Sequence, residues 1–243
     1  MKLAQGLSTR TLDLVVAGVG ATEVQGPGGG PVLAVGHDGG NATGTMRVFR
    51  ADSGVKVVWT SLSVPARKHE TCMVFAFTPP ESPLPHFTLD CSDRPDGHAF
   101  HLDLCPRVEL ATHREYMDEV FEPLSSAYAE GSAVSGLSAT GTTRRQYAMM
   151  SPWMLVHLAD EPAFRAVEPT VRAYAEHWLA LLRDGLSAEV TATLAGVDLA
   201  ARDDAFRANL FSPSIDPVWG RVTGMLGEQA AATIRGELER GAR

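Results

Sequence analysis

The sequence predicts an α+β fold, in which helices precede and follow a meander of antiparallel strands. Three observations carry this expectation. Between residues 44 and 106, five segments rich in Val, Thr and aromatics are separated by short turn sequences. After residue 114 the apolar residues recur at helical spacing instead. Ahead of the strands, RTLDLVVAGV (10–19) has the same helical spacing.

The strands read in order as GTMRVFRA (44–51), VKVVWTSLSV (55–64), TCMVFAFT (71–78), HFTLDCS (86–92) and HAFHLDLC (98–105), linked by turn material such as DSG, PPESPLP and DRPDG. Links this short favour antiparallel pairing, because a parallel pair needs a longer crossover. Helices are expected over 114–130, 151–160, 164–186 and 217–241, with Gly185 placed to stop the third. Helices on both sides of such strands must cover the sheet on one or both faces.

The 243 residues, 44% hydrophobic and 21% charged, are enough for one large globular domain, expected to span 1–243. A net charge of -8 argues against a nucleic-acid partner, since neutralising phosphates takes a dense basic surface. No apolar run reaches the roughly 18–20 residues of a membrane span, and the amino end has no secretory pattern, so a cytoplasmic protein is expected. Cys72, Cys91 and Cys105 are widely spaced in strand-like sequence and read as buried thiols, with no disulfide framework or metal cage. GVGATEVQG lacks the third glycine of a dinucleotide loop, GPGGGP (26–31) reads as a loop, and no Walker, HExxH or GxSxG motif is present.

Chemistry-bearing residues concentrate in two places. Strand alternation puts His86, Thr88 and Asp90 on one face of their segment and His101 and Asp103 on one face of the next. This polar stripe either faces water, as one side of an antiparallel sheet often does, or lines a pocket under the helices. In SIDPVWG (214–220), Asp216 stands directly before a proline at a helix start, as a cap or as a proton donor.

FTPPESPLPHFTLD (77–90) resembles the segment of ferredoxin-dependent bilin reductases in which a proline-rich turn enters a strand ending in a catalytic aspartate. HLDLCP resembles that family's next strand, and RDDAFRANLFSPSIDPVWGRVTGMLGEQAAATIRGEL resembles its carboxy-terminal end; red chlorophyll catabolite reductases share the fold. The resemblance implies a three-layer α/β/α sandwich around a mainly antiparallel sheet, with substrate between the sheet and the last helices. It implies that Asp90 and Asp216 deliver protons to a linear tetrapyrrole such as biliverdin. Electrons would arrive singly from external reduced ferredoxin, with no tightly bound cofactor. Where the family often holds a pocket His or Asn this chain has Met73, which can pack on a π-system but cannot donate a proton. His86 or His101 would then compensate, His86 as a third catalytic group.

The propionates of such a substrate need cations, for which Arg107, Arg144 and Arg145 are candidates. The same arginines, with Arg67 and Lys68, are alternatives for docking an acidic ferredoxin. Met73, Thr88, His101 and Trp219 are the expected lining of the slot, while Trp153 and Trp178 read as core and His157 and His177 as packing or surface residues. Two other functions fit the same fold: a non-catalytic binder of a pigment or hydrophobic metabolite, and a tailoring reductase of another conjugated metabolite.

Overall fold

The computed structural model describes residues 2–37, 42–140 and 142–243. Strands β1 (Thr22–Glu23), β2 (Leu33–His37), β3 (Ala42–Arg50), β4 (Lys56–Val64), β5 (His69–Phe77), β6 (His86–Arg94), β7 (Gly97–Cys105), β8 (Leu137–Ala139) and β9 (Leu155–Ala159) form one sheet. Its order is β1-β3-β4-β5-β6-β7-β9-β8, with β2 also paired to β3, and every pairing is antiparallel. The five central strands follow chain order, as their short links require.

Helices α1 (Leu3–Val19), α2 (Arg114–Val120), α3 (Ser125–Ser132), α4 (Arg144–Tyr147), α5 (Glu161–Ala166), α6 (Glu168–Asp184), α7 (Ala188–Thr193), α8 (Leu199–Leu210), α9 (Val218–Leu226) and α10 (Glu228–Arg240) complete the described chain. Alternation along the strands splits the apolar residues between two cores. One face sends Val57, Cys72, Val74, Phe87, Leu89 and Leu102 toward α1 and α6, where Trp178 and Tyr174 are fully buried. Trp178 fixes that layer by donating its indole N–H to Pro85 O at 2.8 Å. The other face sends Met46, Val48, Val58, Phe75 and Phe77 toward Leu210, Phe211, Trp219, Val222 and Ile234 of the α8–α10 region. The result is the expected α+β sandwich, a mainly antiparallel sheet between two helical layers.

Several elements differ from the sequence expectation. Residues 151–160 contain strand β9 where the spacing predicts a helix, because the short segment LVHLA has no periodicity long enough to separate the two states and β7 supplies a pairing edge. The helical stretch 114–130 breaks at a 3-10 turn, Glu122–Leu124, built around Pro123. The stretch 164–186 is interrupted at Val167, with Pro169 in the first turn of α6, and 217–241 divides into α9 and α10 at Gly227, whose φ is +83°. Gly185 does terminate α6, and α1 begins seven residues earlier than position 10, at Leu3. Cys72, Cys91 and Cys105 are free and buried.

Gly44 on β3 lets α9 sit directly on the sheet. A Cβ there would lie 2.6 Å from Leu226 Cδ1 and 3.3 Å from Leu62 Cδ2. Gly44→Val is therefore expected to destabilise the protein by about 1–3 kcal/mol through overpacking, read as a lower urea midpoint at unchanged slope. A midpoint equal to wild type would contradict that packing.

Candidate active site

Register places the polar stripe under the carboxy-terminal helices. Across the sheet, Thr60, Met73, Asp90, His101 and Val156 are successive partners on β4, β5, β6, β7 and β9. The adjacent row runs Val58, Phe75, Thr88 and Asp103. Phe75 and Val58 belong to the core covered by the last helices, so the whole stripe lies on that covered side and not on an open sheet face.

Asp90 is partly accessible, and its Oδ1 accepts a hydrogen bond from Thr71 Oγ1 at 3.2 Å. Burial pushes its carboxyl up to about 7; the Thr71 hydroxyl and the Arg221 guanidinium pull it down, while the negative charge of Asp216 adds to the rise. Asp216, distant in sequence, is thus close enough for its charge to act on Asp90. Its own pKa is also raised by burial, against the opposing pull of the Val218 N–H and Arg221. The raised carboxyl of Asp90 suits proton delivery near neutral pH, and Asp216 is shifted in the same direction.

At the entry to α9, Asp216 binds the start of the helix with one carboxyl oxygen. Its Oδ1 accepts the Val218 N–H at 2.9 Å, while Oδ2 has no hydrogen-bond partner among the described residues. The helix starts one residue later than expected, with Pro217 as the N-cap. Asp216→Asn retains an oxygen for the Val218 N–H and loses the proton. The expected outcome is a melting temperature within about 2 °C of wild type, since a kept cap costs at most a few tenths of a kcal/mol. Turnover should be arrested or diverted; turnover at the wild-type rate would leave Asp216 as a cap only.

The other expected site residues separate into two groups. Met73 and His101 flank Asp90 as its two register partners, and Thr88 is buried in the adjacent row beside Asp103. The buried Nε2 of His101 has no partner among the described residues, and burial alone lowers the pKa of this imidazole to about 4, so the ring is neutral. Trp219 on α9 is 7% exposed, and its indole N–H is likewise buried without a partner among the described residues. Arg144 and Arg145 are exposed on α4, and Arg145 Nη1 donates to Ser214 O at 3.3 Å, on the loop that leads into Asp216.

His86 and Arg107 belong elsewhere, which corrects two expectations. His86 is fully buried among Phe75, Phe77 and Phe206. Its Nδ1 accepts the Thr78 N–H at 3.1 Å, which leaves Nε2 to donate to Asp203 Oδ1 at 2.7 Å. Burial depresses its pKa to about 4, and both ring nitrogens are engaged, so it is not placed to exchange protons beside Asp90. Arg107, 1% exposed, donates to Thr78 Oγ1 and to the carbonyls of Pro79 and Pro80, and it lies 3.4 Å from Asp203. It is committed to holding the proline-rich turn and is not free for a propionate.

Sequence reasoning missed Thr71, Arg221 and Asp203. Thr71 carried a weak trace, being two positions before Met73 on the same strand face. Asp103, noticed only as part of the stripe, is fully buried and takes hydrogen bonds from Ser151 N at 2.9 Å and Ser151 Oγ at 2.5 Å; burial raises its carboxyl to about 7. Among the described residues no group of three or more His, Cys, Asp or Glu is arranged to hold a metal ion. No helix among them is long and apolar enough to cross a membrane.

No protein-family model matches the chain, and no curated protein matches it in sequence. Among solved structures, the chain is similar to a phytochromobilin synthase from tomato in complex with biliverdin, with a TM-score of 0.74 over 98% of this chain and 83% of that one. The two are 15% identical, so the likeness is one of fold.

Proposed function

We propose that the protein reduces a linear tetrapyrrole, or a closely similar conjugated molecule, with electrons delivered singly by external ferredoxin. The observation that carries this reading is the pair Asp90 and Asp216: Asp90 on the sheet face toward the last helices, Asp216 at the entry to α9, both raised by burial, with the charge of Asp216 adding to the rise at Asp90. The fold shared with a protein that binds biliverdin supports it.

Reducing one double bond takes two electrons and two protons. Each electron entering the conjugated system builds negative charge, which a proton from a neutral carboxylic acid cancels. Asp90, protonated at and below about pH 7, is the first donor, and Asp216, through its uncommitted oxygen, is the second. Neutral His101 offers an unused ring nitrogen for a pyrrole N–H or a lactam group. Arg145, on the loop before Asp216, and its neighbour Arg144 are the cations available to propionates. Met73 beside Asp90 cannot donate a proton, which favours protonation at a different carbon from that in relatives with His or Asn there, and keeps a tailoring reductase as the second reading.

Mixing the protein with biliverdin, then adding ferredoxin, ferredoxin reductase and NADPH, tests this in one cuvette. The expected result is a shifted visible band on mixing that moves or bleaches once electrons are supplied. A shift that never progresses would leave a binding protein, and no shift would end the tetrapyrrole reading.

A further inference from the structure

Beyond Thr71 and Asp90 the polar stripe ends in cationic side chains. Glu70 pairs with Asp93, so the next row brings His69, which opens β5, beside Arg94, which closes β6. Alternation puts both on the face of Thr71 and Asp90, with Arg94 about 13 Å past Asp90 along the strand. Arg221 reaches the same end from α9, close enough for its charge to act on His69, Asp90 and Asp216. It is exposed, and among the described residues no carboxylate is ion-paired with it. Arg94 has only Asp96 at 3.3 Å, both side chains being exposed, a pairing that contributes little. The acids of the opposite face are committed elsewhere, Glu70 to Lys2 at 3.0 Å and Asp93 to the Ala4 N–H at 3.2 Å and to His98 at 2.7 Å. His69, half-buried, registers the crowding: its pKa is lowered by burial and then by Arg94, Arg221 and Lys2.

We infer that His69, Arg94 and Arg221 form an anion site at this end of the stripe, which takes a carboxylate or phosphate group of a small ligand and, when filled, loads a proton onto Asp90. Two guanidiniums offer an oxyanion paired N–H donors, and the recessed imidazole between them suits a group of a few atoms. An anion here offsets the positive charge of Arg221, which otherwise holds protons off Asp90 and Asp216, and reverses the repulsion that holds one off His69. Anion and proton are therefore taken up together, and by reciprocity the anion binds more tightly as pH falls. His101 faces Asp90 from β7 and is neutral, so it does not oppose this coupling. The site does not require the ligand to be a tetrapyrrole; only the use of the loaded proton in reduction rests on the proposed function.

Sulfate is the probe, because it stays a dianion across neutral pH and any proton taken up belongs to the protein. Equilibrium dialysis at constant ionic strength is expected to show one saturable sulfate site, with affinity rising about threefold or more from pH 8 to pH 6. A pH-stat at pH 7 should record proton uptake as sulfate is added. Arg221→Gln, at an exposed position, is expected to weaken sulfate about tenfold or more, the loss of one charge-assisted contact, and to abolish the uptake. Asp90→Asn should keep the sulfate and lose most of the uptake, and Arg172→Gln, in the opposite helical layer, should change neither. No saturable sulfate, an equal loss in Arg172→Gln, or uptake unchanged in Arg221→Gln or in Asp90→Asn would overturn the inference, whatever biliverdin does. Biliverdin and its dimethyl ester identify the source of the anion. A loss in Arg221→Gln for biliverdin alone assigns the site to a carboxylate of the ligand, and unchanged biliverdin affinity with sulfate still bound assigns it to a separate small anion. Sulfate binding without biliverdin binding would end the tetrapyrrole reading and leave the anion site standing.

Discussion

Replacing Asp90 by Asn is expected to lower the rate of reduction by about 10²- to 10⁴-fold, the span that a positioned general acid contributes, while the protein remains folded. Asn is nearly isosteric and keeps an oxygen for the Thr71 hydroxyl, so what is removed is the proton and the charge. Because the carboxyl is raised from 3.8 to about 7, the wild-type rate should decline as pH rises through about 7, when the donor loses its proton. Stability follows the same linkage. The folded state binds a proton that the unfolded chain releases between these two values, so the stabilisation is complete below 3.8 and is lost as pH rises through about 7. Asn has no such titration. The melting temperature of Asp90→Asn relative to wild type should therefore increase from pH 4 to pH 8, measured by thermal unfolding across that range. A difference independent of pH, or turnover equal to wild type, would remove Asp90 from the proposed role.

The second large effect concerns stability. Asp203 on α8 is 1% exposed and accepts hydrogen bonds from His86 Nε2 at 2.7 Å and Arg207 Nε at 2.9 Å, with Arg107 Nη2 at 3.4 Å. Burial opposes its charge, but the His86 hydrogen bond and the two guanidiniums outweigh that and hold the carboxyl down at about 2. Asp203→Asn leaves Arg107 and Arg207, both buried, without their shared anion, and is expected to cost about 3–5 kcal/mol in urea denaturation near pH 7. With a depressed pKa the contribution is full above 3.8 and is lost as pH falls through about 2, so the gap between variant and wild type should begin to narrow by pH 3. A loss below about 1 kcal/mol would mean that the pairing contributes no more than an exposed ion pair. The cluster ties α8 to β6 and to the proline-rich turn, and so positions the helical layer that covers the carboxylates.

Much of the fold was legible because strands and helices leave local periodicities. Alternation in HFTLDCS and HAFHLDLC placed His86, Thr88, Asp90, His101 and Asp103 on one face, and the register agrees. Gly185 ended its helix because a positive φ, here +72°, is cheap only for glycine. Residues 151–160 were misread because a short apolar run is equally a helix segment or a strand until a neighbour offers hydrogen bonds.

The sequence by itself determined the order of strands and most helices, the stripe and the acid before the α9 helix, since each depends on residues a few positions apart. Only the tertiary structure decided which polar residues are available for chemistry. His86 and Asp90 share a strand face, yet burial keeps His86 neutral and its Nε2 hydrogen is committed to Asp203, 117 positions away, while Asp90 is raised by burial and by the charge of Asp216. A titratable group's behaviour follows from the solvent it has lost and the charges opposite it, and both are supplied by distant parts of the chain.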